Sequence, residues 1–323
     1  MALLEVNDLS IDIAGIKPLD GIGFTVSKGE ILGIVGESGS GKSLTALSIM
    51  GLLPLIGGRI EHGSIRFDGI ELTRLAERDY RRLRGRRIAF ITQNPMTSLD
   101  PVIRVGAQID QVSLLHLGLS PDAARAHSIQ LMERLRIPEA ATAYHHYPHQ
   151  LSGGMKQRIV IAMALAANPD LIVADEPTTA LDVTIQAQIV QLLSELVREK
   201  GVALILITHD MGVVAQACDR VVVLYAGRVA ESNNVKAIFA HPRHPYTQAL
   251  IRCIPRTAMA RGSLVGIPGL VPSVFHYPSG CRFHPRCARK EALCESHIPV
   301  LERLPSGAEI ACHFGDTRET AHG

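Results

Sequence analysis

In the stretch GIVGESGSGKS, Gly36 is followed by four residues and then by Gly41, Lys42 and Ser43, with an apolar run before it and the helical LTALSIMGLL after it. Glycines at that spacing let successive backbone N–H groups point inward at phosphate oxygens, and a helix N-terminus behind them adds partial positive charge. Lys42 is expected to neutralise the β and γ phosphates, and Ser43 to offer its hydroxyl to Mg²⁺. The candidate cradle for a nucleoside triphosphate is therefore Gly36, Glu37, Ser38, Gly39, Ser40, Gly41, Lys42, Ser43 and Leu44.

Such chemistry needs a second acid on the metal side, and LIVADEP supplies Asp175 and Glu176 at the end of an apolar run. Asp175 is placed to hold the magnesium shell. Glu176, one residue on and pointing to the other side of the strand, is placed to polarise an attacking water as general base. The plainer reading is an acidic turn ahead of Pro177. Gln93 closes RIAFITQ and His209 closes ALILITH, so both are expected on the same sheet edge as the nucleotide, although a strand-end histidine can also be purely structural. In LSGGMKQR two glycines precede the apolar run IVIAMALAA. Either an anion sits at that helix N-terminus, or Ser152 is simply the N-cap of a tight turn.

The elements that must position these groups are legible as short runs rich in Ile, Val and Leu: EILGIVG, RIAFITQ, DLIVADEP, VALILITHD and DRVVVLYAG. They alternate with helical patterns, as buried, mostly parallel strands do, so the fold class is α/β. LLEVNDLSIDIAG and HGSIRFDGIEL alternate more like exposed antiparallel strands. From about residue 97 to 167 only helical patterns such as DAARAHSIQLMERLRI occur, which predicts an all-helical insertion. After about Ala240, prolines at 242, 245, 255, 268, 272, 278 and 285 interrupt the alternation. A core over residues 1–240 and a separate, irregular extension over 241–323 are expected.

The length of 323 residues and 46% hydrophobic content suit one large domain plus a smaller one. A net charge of +2 carries no global nucleic-acid signal, although Arg81, Arg82, Arg84, Arg86 and Arg87 cluster in YRRLRGRR; a solvated helix face accounts for such a run equally well. MALLEVNDLS has no leader pattern, and every apolar run is shorter than the roughly 18 residues that span a bilayer. A cytoplasmic chain is expected, held at a membrane only by an embedded partner. Cys281, Cys287, Cys294 and Cys312 crowd the end of the chain, which in a cytosolic protein suggests metal more than disulfides. Their spacing fits neither a paired zinc ribbon nor a ferredoxin. Brought together by folding, four thiolates would suit Zn²⁺ or an iron–sulfur cluster; four reduced, buried thiols are the alternative.

Taken in order, GESGSGKS, Gln93, LSGGM, LIVADEP, TALD and LITHD resemble the ATP-binding subunit of an ATP-binding-cassette transporter, over nearly the whole chain. The resemblance implies a P-loop ATPase core with a mostly parallel sheet, an antiparallel β subdomain and a helical insertion, hydrolysing ATP with Mg²⁺. It implies head-to-tail pairing of two ATPase domains, so that Ser152, Gly153 and Gly154 of one grip the γ-phosphate held by the other. Lys42, Ser43 and Asp175 then correspond to the phosphate and magnesium ligands and Glu176 to the base. Gln93 corresponds to a sensor linking the metal to the membrane subunits, His209 to a switch beside the γ-phosphate, and Asp182 to the loop crossing the dimer interface. Two departures are visible: Met155 stands where the family usually has Gln, and no aromatic stands near Ile13, where the adenine-stacking residue belongs. Adenine is expected on an aliphatic surface.

QNPMTSLDP, HPRHPYTQAL and IPGLVPSVFHYPSGCRFHPRC narrow the resemblance to the ATPases of dipeptide, oligopeptide and nickel importers, the cysteine tail favouring the peptide branch. That implies an energy-coupling subunit for peptide import, with nickel or another small solute as the alternative. Its implied partners are a second, identical or related ATPase subunit, two transmembrane permease subunits and, indirectly, an external solute-binding protein, but no nucleic acid. Its implied place is peripheral, on the cytoplasmic face of the bacterial inner membrane. The same resemblance favours a 4Fe-4S cluster on Cys281, Cys287, Cys294 and Cys312 over Zn²⁺. A soluble cassette ATPase acting on nucleic acid or the ribosome, and a regulatory ATPase without a transporter, are the competing classes; a single cassette without heptads argues against the first.

Overall fold

The computed structural model describes residues 2–178, 182–254 and 266–315. Thr179, Ala180 and Leu181 of TALD, and Pro255, lie outside the described residues. In chain order, β1 (Ala2–Ile13), β2 (Ile16–Ser27) and β3 (Ile31–Val35) precede α1 (Lys42–Ile49), and β4 (Gly58–Phe67), β5 (Ile70–Glu71), α2 (Glu77–Leu83) and β6 (Ile88–Ile91) follow. Then come α3 (Pro95–Ser98), α4 (Val105–Leu117), α5 (Pro121–Arg134), α6 (Ala140–Ala143) and α7 (Gly153–Leu165), with no strand among them. The chain continues with β7 (Leu171–Asp175), α8 (Val183–Lys200), β8 (Ala203–Thr208), α9 (Met211–Ala217), β9 (Arg220–Tyr225), β10 (Arg228–Asn234), α10 (Val235–Ala240) and α11 (Pro245–Arg252). The extension adds α12 (Ala292–Ser296), β11 (Glu302–Arg303) and β12 (Glu309–Ile310).

Every residue of β3, β7 and β8 is buried, which is why these strands read as continuous apolar runs rather than as alternation. The starts of α5 and α8 carry side-chain caps: Ser120 Oγ accepts from Ala123 N at 3.3 Å and Asp182 Oδ1 from Ile185 N at 3.0 Å. Gly201, at φ 65°, ends α8 in the left-handed conformation a helix C-terminus favours.

The chain divides into two compact units. One comprises residues 26–31 and 74–207. In it β6, β7 and β8 run parallel, with Ile91 opposite Ala174 and Asp175 opposite Ile207, so their carboxyl ends lie at one edge. The all-helical stretch α3–α7 belongs to the same unit, where Asp110 of α4 accepts from Ser128 Oγ of α5 at 2.5 Å and from the Tyr144 hydroxyl after α6. The arginine run is laced with acids: Arg81 and Arg84 reach Glu77 at 3.3 and 2.7 Å, Arg82 reaches Asp79 at 3.5 Å, and Arg87 reaches Asp170 at 2.6 Å.

The other unit comprises residues 2–25, 32–73 and 208–323. Its antiparallel sheet has the order β2-β1-β4-β5, with Leu4 opposite Phe67 and Ile13 opposite Gly58. In the same unit β3 pairs parallel with β9, β10 pairs antiparallel with β9, and β12 and β11 continue the ladder, Glu231 of β10 lying opposite Ile310. In the extension, β12 adds to β10, and β9 lies between β10 and β3, the strand that leads into the phosphate loop.

Candidate nucleotide-binding site

The loop after β3 is built by glycines for two distinct reasons. A Cβ on Gly36 would lie 2.2 Å from the Leu224 carbonyl oxygen and 2.7 Å from Ser40 Oγ, so nothing larger fits. Gly39 (φ 80°) and Gly41 (φ 101°) hold left-handed backbone that other residues adopt only under strain. Gly41 is also the N-cap of α1 and offers no side-chain cap. Lys42 is 5% exposed, its Nζ donating to the carbonyls of Gly36 and Glu37 at 2.8 and 3.2 Å. Ser38, Gly39 and Ser43 are exposed, Leu44 is half-buried, and buried Ser40 accepts a bond from Gly227 N at 3.0 Å.

Glu37 is held by residues that sequence reasoning missed. Its N–H donates to the Tyr246 hydroxyl at 2.9 Å, and its carboxylate receives both terminal nitrogens of Arg286 at 2.7 and 3.0 Å. Tyr246 is fully buried and packs edge-on against Tyr225 at 4.6 Å. Burial works against the charge on Arg286, but its bonds to Glu37 and Tyr225 outweigh it and raise its pKa. A second pair lies beside it: Asp20 accepts from Arg282 at 2.9 Å and from Arg228 at 2.5 Å, and these arginines overcome burial to hold its carboxyl below the usual range. Arg282 itself is lowered to about 10, chiefly by burial. Neither arginine carries a local signal; each merely adjoins a cysteine, Cys281 or Cys287.

In the first unit, the carboxyl ends of β6 and β7 bring Gln93 and Glu176 together, Gln93 Nε2 donating to Glu176 Oε2 at 3.2 Å. Glu176 stands at φ 45° and its N–H donates to the Ile207 carbonyl at 2.9 Å. Asp175, just before it, is 7% exposed. Ser152 is the N-cap of α7, its Oγ accepting from Met155 N at 3.3 Å, and Ser152 and Gly153 are exposed. A Cβ on Gly154 would lie 3.0 Å from Ile185 Cγ2. In the other unit His209 is exposed after β8, and Asp210 caps α9 through Gly212 N at 2.7 Å. Ile13, at the end of β1, is half-buried.

The four late cysteines, Cys281, Cys287, Cys294 and Cys312, do come together, lining one cavity with Phe283 and Phe314. Burial, and then the neighbouring thiols, push Cys281 up to about 11, and burial raises Cys287 and Cys312 as well. Among the described residues, however, no three His, Cys, Asp or Glu side chains are grouped so as to hold a metal ion. The expectation of a metal centre is corrected to that extent: the four cysteines line a cavity without forming such a group. Among the described residues no helix is long and apolar enough to cross a membrane.

Residues 19–179 match the ABC transporter family and residues 230–294 the oligopeptide/dipeptide transporter C-terminal region. The chain is 46% identical to the dipeptide transport ATP-binding protein DppD of Escherichia coli over 318 residues, 97% of each chain. It is 47% identical to the oligopeptide transport ATP-binding protein OppD of Salmonella typhimurium, covering 96% of this chain and 93% of that one. Among solved structures, a dimeric ATP-binding cassette in a post-hydrolysis state bound to ADP and Pi matches with a TM-score of 0.64 and 28% identity, covering 72% of this chain and 98% of that one. CbiO1 of Clostridium perfringens, part of an ABC transporter complex, matches with a TM-score of 0.64 and 29% identity, covering 74% and 91%.

Proposed function

The chain belongs to the ATPases of the ATP-binding-cassette transporters and carries the C-terminal region of their oligopeptide/dipeptide branch, and on that premise we propose that it powers di- or oligopeptide import by hydrolysing ATP. The observation that carries the reading is the phosphate loop: Gly36, where a side chain would meet the Leu224 carbonyl, Gly39 and Gly41 on left-handed backbone, a helix start without a side-chain cap, and the Lys42 ammonium held on the loop's own carbonyls. The β and γ phosphates of ATP replace those carbonyls as partners of Lys42. Mg²⁺, when bound with ATP, would supply charge neutralisation; Ser43, Asp175 and Gln93 are the residues that the family resemblance assigns to hold it. Glu176 accepts the proton of the attacking water and His209 contacts the γ-phosphate.

Exposed Ser152 and Gly153, with Gly154, cap the γ-phosphate bound by a second, identical or related ATPase subunit, where an anion takes over the role the Ser152 hydroxyl has in the free chain. Met96, Val102 and Leu115, exposed at 60%, 78% and 74% on the helical stretch, support docking of two transmembrane permease subunits there. The chain is then peripheral, on the cytoplasmic face of the inner membrane, and cargo from an external solute-binding protein never touches it. The domains follow as an ATPase core over 1–240, with its helical part over about 97–167, and the extension over 241–323. Arg81 and Arg84, both paired with Glu77, give no support to a nucleic-acid partner.

For Cys281, Cys287, Cys294 and Cys312 the family resemblance favours a 4Fe-4S cluster, with Zn²⁺ as the alternative; what supports it is that the four line one cavity. Such a cluster would staple a segment with little apolar core of its own.

The test is Glu176→Gln. It should bind ATP normally, lose at least about 10²-fold in turnover, accumulate as a closed dimer and fail to support peptide uptake in membranes that hold the permease subunits. Rapid hydrolysis by this variant would overturn the assignment of the base.

A further inference from the structure

Glu37 places a carboxylate on a loop whose ligand is a polyanion. Left alone, that charge would oppose every phosphate entering the cradle, and the low dielectric around a half-buried site would strengthen the repulsion. Arg286 answers it. Its side chain is 4% exposed, and its two terminal nitrogens meet the two Glu37 carboxylate oxygens at 2.7 and 3.0 Å, the paired geometry that guanidinium and carboxylate favour. The rest of the guanidinium is fixed from the far side: Nε donates to the Pro268 carbonyl at 2.8 Å and Nη2 to the Ile267 carbonyl at 3.1 Å. Tyr246 holds the backbone of the same residue, accepting from Glu37 N at 2.9 Å. Glu37 is therefore gripped at its carboxylate by the extension and at its N–H by α11. The arginine is rooted in a short turn, His284–Arg286, that runs directly into Cys287 of the cysteine cavity.

We propose that Arg286 is a positioning residue for the phosphate loop: by pairing with Glu37 it cancels the carboxylate's charge and locks the loop open for nucleotide, so that ATP affinity depends on the cysteine-bearing extension. The inference builds on the nucleotide reading above. It makes the extension part of the ATP site's electrostatics, and it explains why a residue remote in sequence is buried with its charge intact.

The test is equilibrium binding of MgATP to the purified full-length chain, with the thermal midpoint followed in parallel. Arg286→Ala should raise Kd about tenfold or more, as expected for loss of a charged hydrogen-bonded pair, while the chain remains folded. Glu37→Gln added to it should return Kd to within about threefold of wild type, because the repelling charge is gone; a purely structural arginine would not be rescued by its partner's neutralisation. Arg286→Gln keeps donors for Ile267 and Pro268 but removes the charge, and carries the same prediction should the alanine variant fail to fold. Unchanged Kd in a folded Arg286 variant, or no recovery with Glu37→Gln, overturns the inference and leaves the ATP site standing. Failure of the wild-type chain to bind MgATP overturns the ATP site itself.

Discussion

The side-chain amide of Gln93 and the carboxylate of Glu176 are joined by a hydrogen bond of 3.2 Å across 83 positions of sequence, because β6 and β7 are parallel neighbours in a register that ends both at the same edge. Glu176 holds its carboxylate there on a left-handed backbone, φ 45°, which costs a residue with a Cβ about 1–2 kcal/mol.

Gln93→Ala should therefore act on turnover more than on binding. Single-turnover hydrolysis is expected to slow by about tenfold, with the Kd for ATP changed by less than about threefold, the pattern of an interaction made in the transition state. Equal losses in both would assign Gln93 to ground-state nucleotide binding instead.

The two glycine roles in the phosphate loop separate by substitution. Gly36→Ala forces a Cβ to 2.2 Å from the Leu224 oxygen, so the loop must move, at a cost of about 1–3 kcal/mol in stability. At Gly39 nothing lies within 4 Å of an added Cβ, and Gly39→Ala pays only for the left-handed backbone, about 1 kcal/mol. Chemical denaturation should rank Gly36→Ala as the more destabilised of the two; the reverse order would mean that the loop is free to shift away from Leu224.

Buried His244 makes stability fall in mild acid. Its Nδ1 accepts from Tyr246 N at 3.0 Å as the N-cap of α11, and burial lowers its pKa from 6.5 to about 4 against the opposing hydrogen bond to the Ala311 backbone, with Arg289 adding to the lowering. The Glu231 carboxylate accepts from the backbone N–H groups of Arg243 and His244 at 3.0 and 2.9 Å. An unfolded chain takes up the proton below about pH 6.5 and the folded one only near 4, so the contribution is complete above that range and is lost as pH falls through it, up to about 3 kcal/mol. His244→Asn keeps a capping acceptor without the titration. Its thermal midpoint should fall less between pH 7 and pH 4 than that of wild type; parallel curves would show that His244 is not the group responsible.

The cysteine cavity is open to direct analysis. Anaerobically purified wild type should contain iron and acid-labile sulfide in equal amounts, near the four per chain of a 4Fe-4S cluster, and Cys287→Ser should lose them. One zinc, or no metal in either protein, would remove the cluster and leave the ATPase reading untouched.

The α/β class, the strands and the nucleotide motif were legible because each depends on local chemistry. Buried parallel strands such as Leu171–Asp175 must be apolar throughout, and a phosphate loop needs glycine wherever φ is positive or a carbonyl crowds the backbone. Ser152 was legible both as a cap and as an anion ligand, since the same hydroxyl and the same open helix end serve either purpose. The arginine run was ambiguous for a different reason: its charge is countered partly within α2 by Glu77 and Asp79, but also by Asp170, which is brought to Arg87 only by the pairing of β6 with β7.

By itself the sequence determined where phosphate chemistry can occur, since the φ angles, caps and strand ends that serve it are properties of a few consecutive residues. The tertiary structure alone decided that Glu37 is answered by Arg286, 249 positions away, that β12 completes the ladder on β10, and that four irregularly spaced cysteines share one cavity. Contacts of that range leave no periodic trace in the chain. They form only when folding brings β12 onto β10 and Arg286 onto Glu37, where buried charge has to find its partner or be neutralised.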